Sequence, residues 1–157
     1  MMLSQCLDTQ AHILFAQDLK LCAWTHTLSS GAPDSRVVWT TDLTTTPLYS
    51  TMENLVRNRI PGAWQITQCR GIAQTQQQPY LTLESKPAEC DTVIAQFHPC
   101  TTWNTRWHGA TIIDGDRVEY EPNTLIVYDS HLPVHHEPPQ TINVLRMVVE
   151  IQLERRF

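Results

Sequence analysis

Lysine is nearly missing from this 157-residue chain: only Lys20 and Lys86 accompany the arginines, which are scattered along its length. Acidic residues outnumber basic ones sixteen to eleven, for a formal charge of −5. A basic surface that tracks phosphates is therefore not expected, and neither is a nucleic-acid partner. No apolar run approaches the ~20 residues that a membrane span requires, so no membrane partner is expected. Met1 to Asp8 lacks the basic, apolar and small-residue order of a secretory signal. There is no CxxC. The five cysteines (Cys6, Cys22, Cys69, Cys90, Cys100) are odd in number and widely spaced. That argues against a zinc knuckle or a thioredoxin-type motif and fits small buried side chains in a reducing, cytoplasmic setting. Repeats and long linkers are absent too, and Gln74–Gln78 (QTQQQ) is the one biased stretch.

What is present is enough for a core: 41% of residues are hydrophobic and 17% charged, the proportions of a folded domain. The length suits a single domain over 1–157, with a helical part over about 1–62 and a β part over about 63–157. Asp8 is placed to cap a helix running to about Lys20, with Ile13, Leu14 and Leu19 as its apolar members. Thr46 is placed to cap a second, with Pro47 in its first turn. Leu48, Met52, Leu55 and Val56 recur at helical spacing until Pro61-Gly62. From Trp64 onward the texture is β. Strands are expected near Trp64–Ile72, Tyr80–Glu84, Thr92–His98, Ala110–Ile113, Thr124–Asp129, Leu132–His136 and Val144–Leu153, with a tight turn at Asp114-Gly115-Asp116. The last strand alternates strictly. Met147, Val149, Ile151 and Leu153 fall on one face, and Arg146, Val148, Glu150 and Gln152 on the other. Many short strands after two helices predict a mainly β fold, a helix-backed sandwich or barrel.

Histidines concentrate in the second half, at His98, His108, His131, His135 and His136. The densest run is Asp129-Ser-His-Leu-Pro-Val-His-His-Glu137. Histidine at a barrel mouth is a natural ligand for iron, zinc, copper or nickel, and a solvated turn is the plainer alternative. Trp103 and Trp107 flank the Gly109 turn and are expected to pack it. Arg146 either lines a pocket or pairs along the sheet with Glu150 or Glu119.

The string Trp103-Asn-Thr-Arg-Trp107-His-Gly109-Ala-Thr111, then Pro122-Asn-Thr-Leu-Ile-Val-Tyr-Asp129, then His135 and Arg146 eleven residues later, resembles the 2-oxoglutarate/iron(II) dioxygenase superfamily. Its small prolyl-4-hydroxylase-like members are the nearest group. The resemblance is specific over about residues 92–153 and traceable back to Val38-Trp39-Thr-Thr-Asp-Leu43. It implies a double-stranded β-helix (jelly-roll) with about two N-terminal helices packed on one sheet. It also implies that His135 is a metal ligand and that Arg146 grips the far carboxylate of 2-oxoglutarate, a task suited to a guanidinium fork.

One departure stands beside the match. The family's H-x-D pair has no counterpart anywhere in the chain. In Tyr80-Leu-Thr-Leu-Glu84, Glu84 stands where the aspartate would be and Thr82 where the first histidine would be. A threonine hydroxyl is a poor ligand for a divalent ion, and His136, His98 or His108 would have to substitute. His98 is more simply a hydrogen-bonded core residue.

Three functions follow. The missing histidine favours a degenerate oxygenase fold retained as a non-catalytic binding or structural module, with no tightly bound cofactor and with a protein partner or a second copy of the chain. Arg146 favours an active hydroxylase using Fe(II) and 2-oxoglutarate on a peptide or small molecule. A cupin-like metal enzyme is the third. Short stand-alone relatives of this kind point to a bacterial or phage setting, the host cytoplasm or a virion.

Overall fold

The computed structural model of the chain describes residues 1–28, 37–76, 81–83 and 91–156, and only the backbone at 27–28, 37 and 81–83. Helix α1 spans Thr9–Leu21, and its first turn is closed by the Asp8 carboxylate accepting from Ala11 N at 2.9 Å. Its buried stripe is His12, Phe15, Ala16 and Leu19. Ile13 and Leu14, expected on that stripe, are 42% and 50% exposed. The helix rolls toward Phe15 because that ring packs edge-on against Phe97, while His12 Nε2 meets Pro99 O at 2.9 Å. Helix α2 spans Pro47–Arg59 and buries Leu48, Met52, Leu55 and Val56, the four positions its spacing marks. Thr46 does not cap it: its hydroxyl donates back to Leu43 O at 2.8 Å, and Pro47 alone sets the entry.

Among the described residues eleven strands form two antiparallel sheets. They are β1 Met2–Leu3, β2 Thr25–Leu28, β3 Val37–Asp42, β4 Trp64–Gln74, β5 Leu81–Leu83, β6 Thr92–Phe97, β7 Thr111–Ile113, β8 Asp116–Val118, β9 Leu125–Asp129, β10 Val134–His136 and β11 Arg146–Arg155. The larger sheet has the order β1-β9-β6-β11-β4-β3-β2, and the smaller one β5-β10-β7-β8. The fold is mainly β, a jelly-roll with two helices on the larger sheet. Four of its strands, β1, β2, β3 and β8, are absent from the sequence reading. β1 is two residues long, and β8 is the short return of a hairpin. Asp114 (φ +49°) and Gly115 (φ +87°) make the tight turn of that hairpin, since both central residues need a positive φ.

β11 lies at the centre of the larger sheet, paired to β4 from Arg146↔Gln74 onward and to β6 from Val149↔Phe97 onward. One face of β11, with Met147, Val149, Ile151 and Leu153 essentially fully buried, joins Leu19, Leu48, Met52 and Leu55 in the main apolar core beneath the helices. The other face looks across at the smaller sheet. Ile126, Tyr128 and Val134 form a second, smaller cluster there, bridging the two sheets. Among the described residues no helix is long and apolar enough to cross a membrane.

Candidate functional site

The inner wall of the jelly-roll is unusually polar. Side chains alternate along a strand, and residues directly opposite on neighbouring strands share a face. The register therefore sets Gln74 beside Arg146, and Arg70, Glu150 and Gln96 in one row across β4, β11 and β6. From the smaller sheet, Thr111 and His136 are register partners on β7 and β10 and share its inner face. Gln74, Gln96, His98, Thr111, His136, Arg146 and Glu150 are all buried.

Arg146 is 1% exposed. Its Nε donates to Gly109 O at 2.6 Å, Nη1 to Gln74 Oε1 at 3.1 Å and Nη2 to Thr111 Oγ1 at 2.9 Å. Its Cζ lies 5.5 Å from the Tyr120 ring centre. A guanidinium has five N–H groups, so among the described residues two remain unspent and no carboxylate lies at ion-pair distance. Glu150 and Glu119, the alternative partners, are taken by Arg70 (2.7 Å) and Arg117 (2.7 Å). Burial pulls the guanidinium down to about 10, with acidic groups around it, Tyr120 first, working the other way. It is charged at neutral pH.

The turn that carries Gly109 is pinned from behind. Glu137 is buried, accepts from Gly109 N and Ala110 N at 3.1 Å each, and takes both terminal nitrogens of Arg117 at 3.0 and 2.8 Å. A Cβ at position 109 (φ +83°) would lie 2.7 Å from Trp103 Cζ2 and 3.2 Å from Arg146 Cδ, so only glycine fits. Trp103 packs on Trp107 and Tyr120 and donates to His108 O at 3.0 Å, the packing role expected of it.

His98 is a satisfied core residue. Its Nδ1 donates to Glu121 O at 3.1 Å, so the neutral ring presents Nε2 as an acceptor, 3.0 Å from Gln96 Nε2. Burial first, then Arg146, pushes its pKa down to about 3. Gln96 Nε2 also donates to Thr111 Oγ1 at 2.8 Å. His136 is different. Neither of its ring nitrogens has a hydrogen-bond partner among the described residues, and burial, with Arg146, His98 and Arg70 adding to it, holds it well below its ordinary pKa. Three more buried atoms are unpartnered in the same way: Gln96 Oε1, Tyr128 Oη and Glu150 Oε2. Buried polar atoms are bonded as a rule, so this concentration sets the inner wall apart from the apolar core.

The expected ligand residues divide. The inward residues of β10 are Val134 and His136, whereas His135 between them is turned the other way and only partly buried. The inward histidine is thus His136, not His135; a one-residue parity decides it. Thr82 is the register partner of His135, and Leu83 that of Val134. Glu84 lies outside the described residues. His108 sits on the Gly109 turn, its side chain 46% exposed and Nδ1 4.0 Å from Glu137 Oε1, away from the inner wall. Among the described residues no three His, Cys, Asp or Glu side chains converge to hold a metal ion. The described residues do not by themselves make up the two-histidine, one-carboxylate face that iron of this class needs: both nitrogens of His136 are unpartnered among them, but His98 has both of its nitrogens engaged. Gln96, Tyr128 and Glu150 are site residues the sequence reading missed. The alternation of β11 already set Glu150 on the face of Arg146, and that was the available signal.

No protein-family profile and no curated protein matches the sequence. Solved structures do match by shape. A prolyl-4-hydroxylase from Pseudomonas putida superposes with a TM-score of 0.74 at 13% identity, covering 99% of this chain and 92% of that one. An oxidoreductase of the 2OG-Fe(II) oxygenase family from Burkholderia pseudomallei gives 0.71 at 11%, covering 99% and 85%. HygX from Streptomyces hygroscopicus, with nickel and 2-oxoglutarate bound, gives 0.69 at 8%, covering 100% and 83%. The chain therefore has the jelly-roll fold of the prolyl-4-hydroxylase-like and other 2-oxoglutarate/iron(II) oxygenases.

Proposed function

We propose that the protein is a non-catalytic binding module that holds a small carboxylate inside its jelly-roll, a degenerate form of the oxygenase architecture. The observation that carries this reading is Arg146: a buried cation with two unspent N–H groups and no carboxylate partner among the described residues. Burying an unpaired charge costs several kcal/mol, and an anionic ligand would offset it. The 2-oxoglutarate held by HygX supports a carboxylate as the type of ligand such a barrel accepts. Thr82, standing where the family's first histidine would be, supports the absence of catalysis, since a threonine hydroxyl is a poor ligand for a divalent ion.

The alternative, an active hydroxylase using Fe(II) and 2-oxoglutarate, draws on the same Arg146. Two measurements separate the two. Protein purified anaerobically and reconstituted with iron(II) should retain well under one iron per chain and form no succinate from 2-oxoglutarate. Small carboxylates, 2-oxoglutarate among them, should still stabilise the fold by RT ln(1 + [L]/Kd) in the presence of chelator, which a melting-temperature rise reads. Stoichiometric iron together with succinate formation would overturn the reading.

A further inference from the structure

We propose that the barrel selects a small monocarboxylic acid with a hydroxyl or amide donor at its far end, in preference to a dicarboxylate such as 2-oxoglutarate. This rests on the carboxylate-pocket reading above and specifies what that pocket takes.

Charge balance is the first reason. The charged groups on the inner wall, among the described residues, are Arg146, Arg70 and Glu150. Arg70 donates through Nε (3.0 Å) and Nη2 (2.7 Å) to Glu150 Oε1, and that pair cancels. Glu137, the other buried carboxylate nearby, lies behind the turn, where it takes both terminal nitrogens of Arg117, a cation it shares with the exposed Glu119. His98 and His136 are held neutral by burial. One positive charge is left, Arg146. A monoanion neutralises it; a dianion leaves a buried negative charge.

The second reason is the polarity of the remaining wall. Around Arg146 the site donates: two guanidinium N–H groups are unspent on the described residues. Thr111 Oγ1 accepts from both Arg146 and Gln96, leaving its own hydroxyl hydrogen to give. A carboxylate suits that end. Further along, the site accepts. Glu121 O fixes the proton of His98 on Nδ1, so His98 Nε2 must accept from Gln96 Nε2. That fixes the Gln96 amide and leaves Oε1 as the unpartnered atom. Its row neighbour Glu150 presents Oε2, also unpartnered. Both atoms can only accept. Tyr128 Oη and neutral His136 give and accept alike, and Tyr128 is within electrostatic reach of Glu150, Arg146 and Arg70. A second carboxylate would meet two acceptors, one of them charged, whereas a hydroxyl or amide N–H would satisfy them.

Calorimetric titration of the whole chain in chelator with four acids of equal chain length tests this: pentanoate, 5-hydroxypentanoate, glutaramate and glutarate. The expected order places 5-hydroxypentanoate and glutaramate roughly tenfold or more tighter than pentanoate, which lacks the donor, and than glutarate, which carries a second charge. Glu150→Gln keeps the shape, adds one net positive charge and removes a charged acceptor, and should move the preference toward glutarate. Glutarate binding tightest to the unmodified protein would overturn the inference while leaving the carboxylate pocket standing, and so would pentanoate binding as tightly as its hydroxylated form. Binding of none of the four would overturn both.

Discussion

The two faces of β11 belong to one strand and do opposite work. On the helix side, Met147, Val149, Ile151 and Leu153 are essentially fully buried among apolar neighbours, and their contribution is burial alone. On the barrel side, Arg146 and Glu150 are equally inaccessible, yet they sit among glutamines, histidines and a tyrosine with several bonding atoms unmatched. A fold needs the first face. The second face costs stability, because each polar group taken from water must be matched. The contrast separates two kinds of burial: helices and apolar face form the frame, and the barrel face is the part that the proposed function assigns to a ligand.

The sharpest way to break this division is to exchange the outcomes of substitutions on the two faces. Ile151→Ala should lower the unfolding free energy by about 2–5 kcal/mol in chemical denaturation and leave carboxylate affinity unchanged. Arg146→Met should do the reverse. Affinity for carboxylates should fall by at least about a hundredfold, roughly 3 kcal/mol. Stability should move little, because the relief of burying no charge offsets the acceptors Gly109 O and Gln74 Oε1 left behind.

Acid should reveal the barrel face as well. His98 and His136 stay neutral in the folded protein, the first with a pKa near 3 and the second well below its ordinary value, while the unfolded chain protonates both near 6.5. The unfolded state then binds more protons, so stability is lost as pH falls from about 6.5 toward 3, by at most about 1.4 kcal/mol per pH unit for each histidine. Denaturation curves at stepped pH read the slope, and His136→Phe should reduce it. The smallest effect belongs to the frame: Asp8→Ala should cost about 1 kcal/mol through the lost bond to Ala11 N, with no effect on binding.

The frame was largely legible in the sequence. The strict alternation of Arg146 to Leu153 gave both faces of β11, and Leu48, Met52, Leu55 and Val56 gave the buried stripe of α2. The stripe of α1 was misplaced because His12, a polar residue, is buried in preference to Ile13, and only the tertiary neighbours Phe97 and Pro99 decide that. The site was legible in part. Arg146 was marked by its spacing, but His135 and His136 are adjacent and the parity of a three-residue strand cannot be read from composition. The alternation of β11 already set Glu150 beside Arg146, whereas Gln96 and Tyr128 joined them only when register set three strands side by side. Thr82 stands out in the sequence as the missing ligand, and the backbone register sets it opposite His135.

Carboxylate binding with and without metal tests the central claim most directly. The whole chain is titrated calorimetrically with 5-hydroxypentanoate and with 2-oxoglutarate, once in excess chelator and once in anaerobic iron(II). A pocket built on Arg146 alone gives the same affinities in both conditions, with the monocarboxylate tighter. Binding of 2-oxoglutarate that appears only with iron(II), and vanishes in chelator, would contradict it.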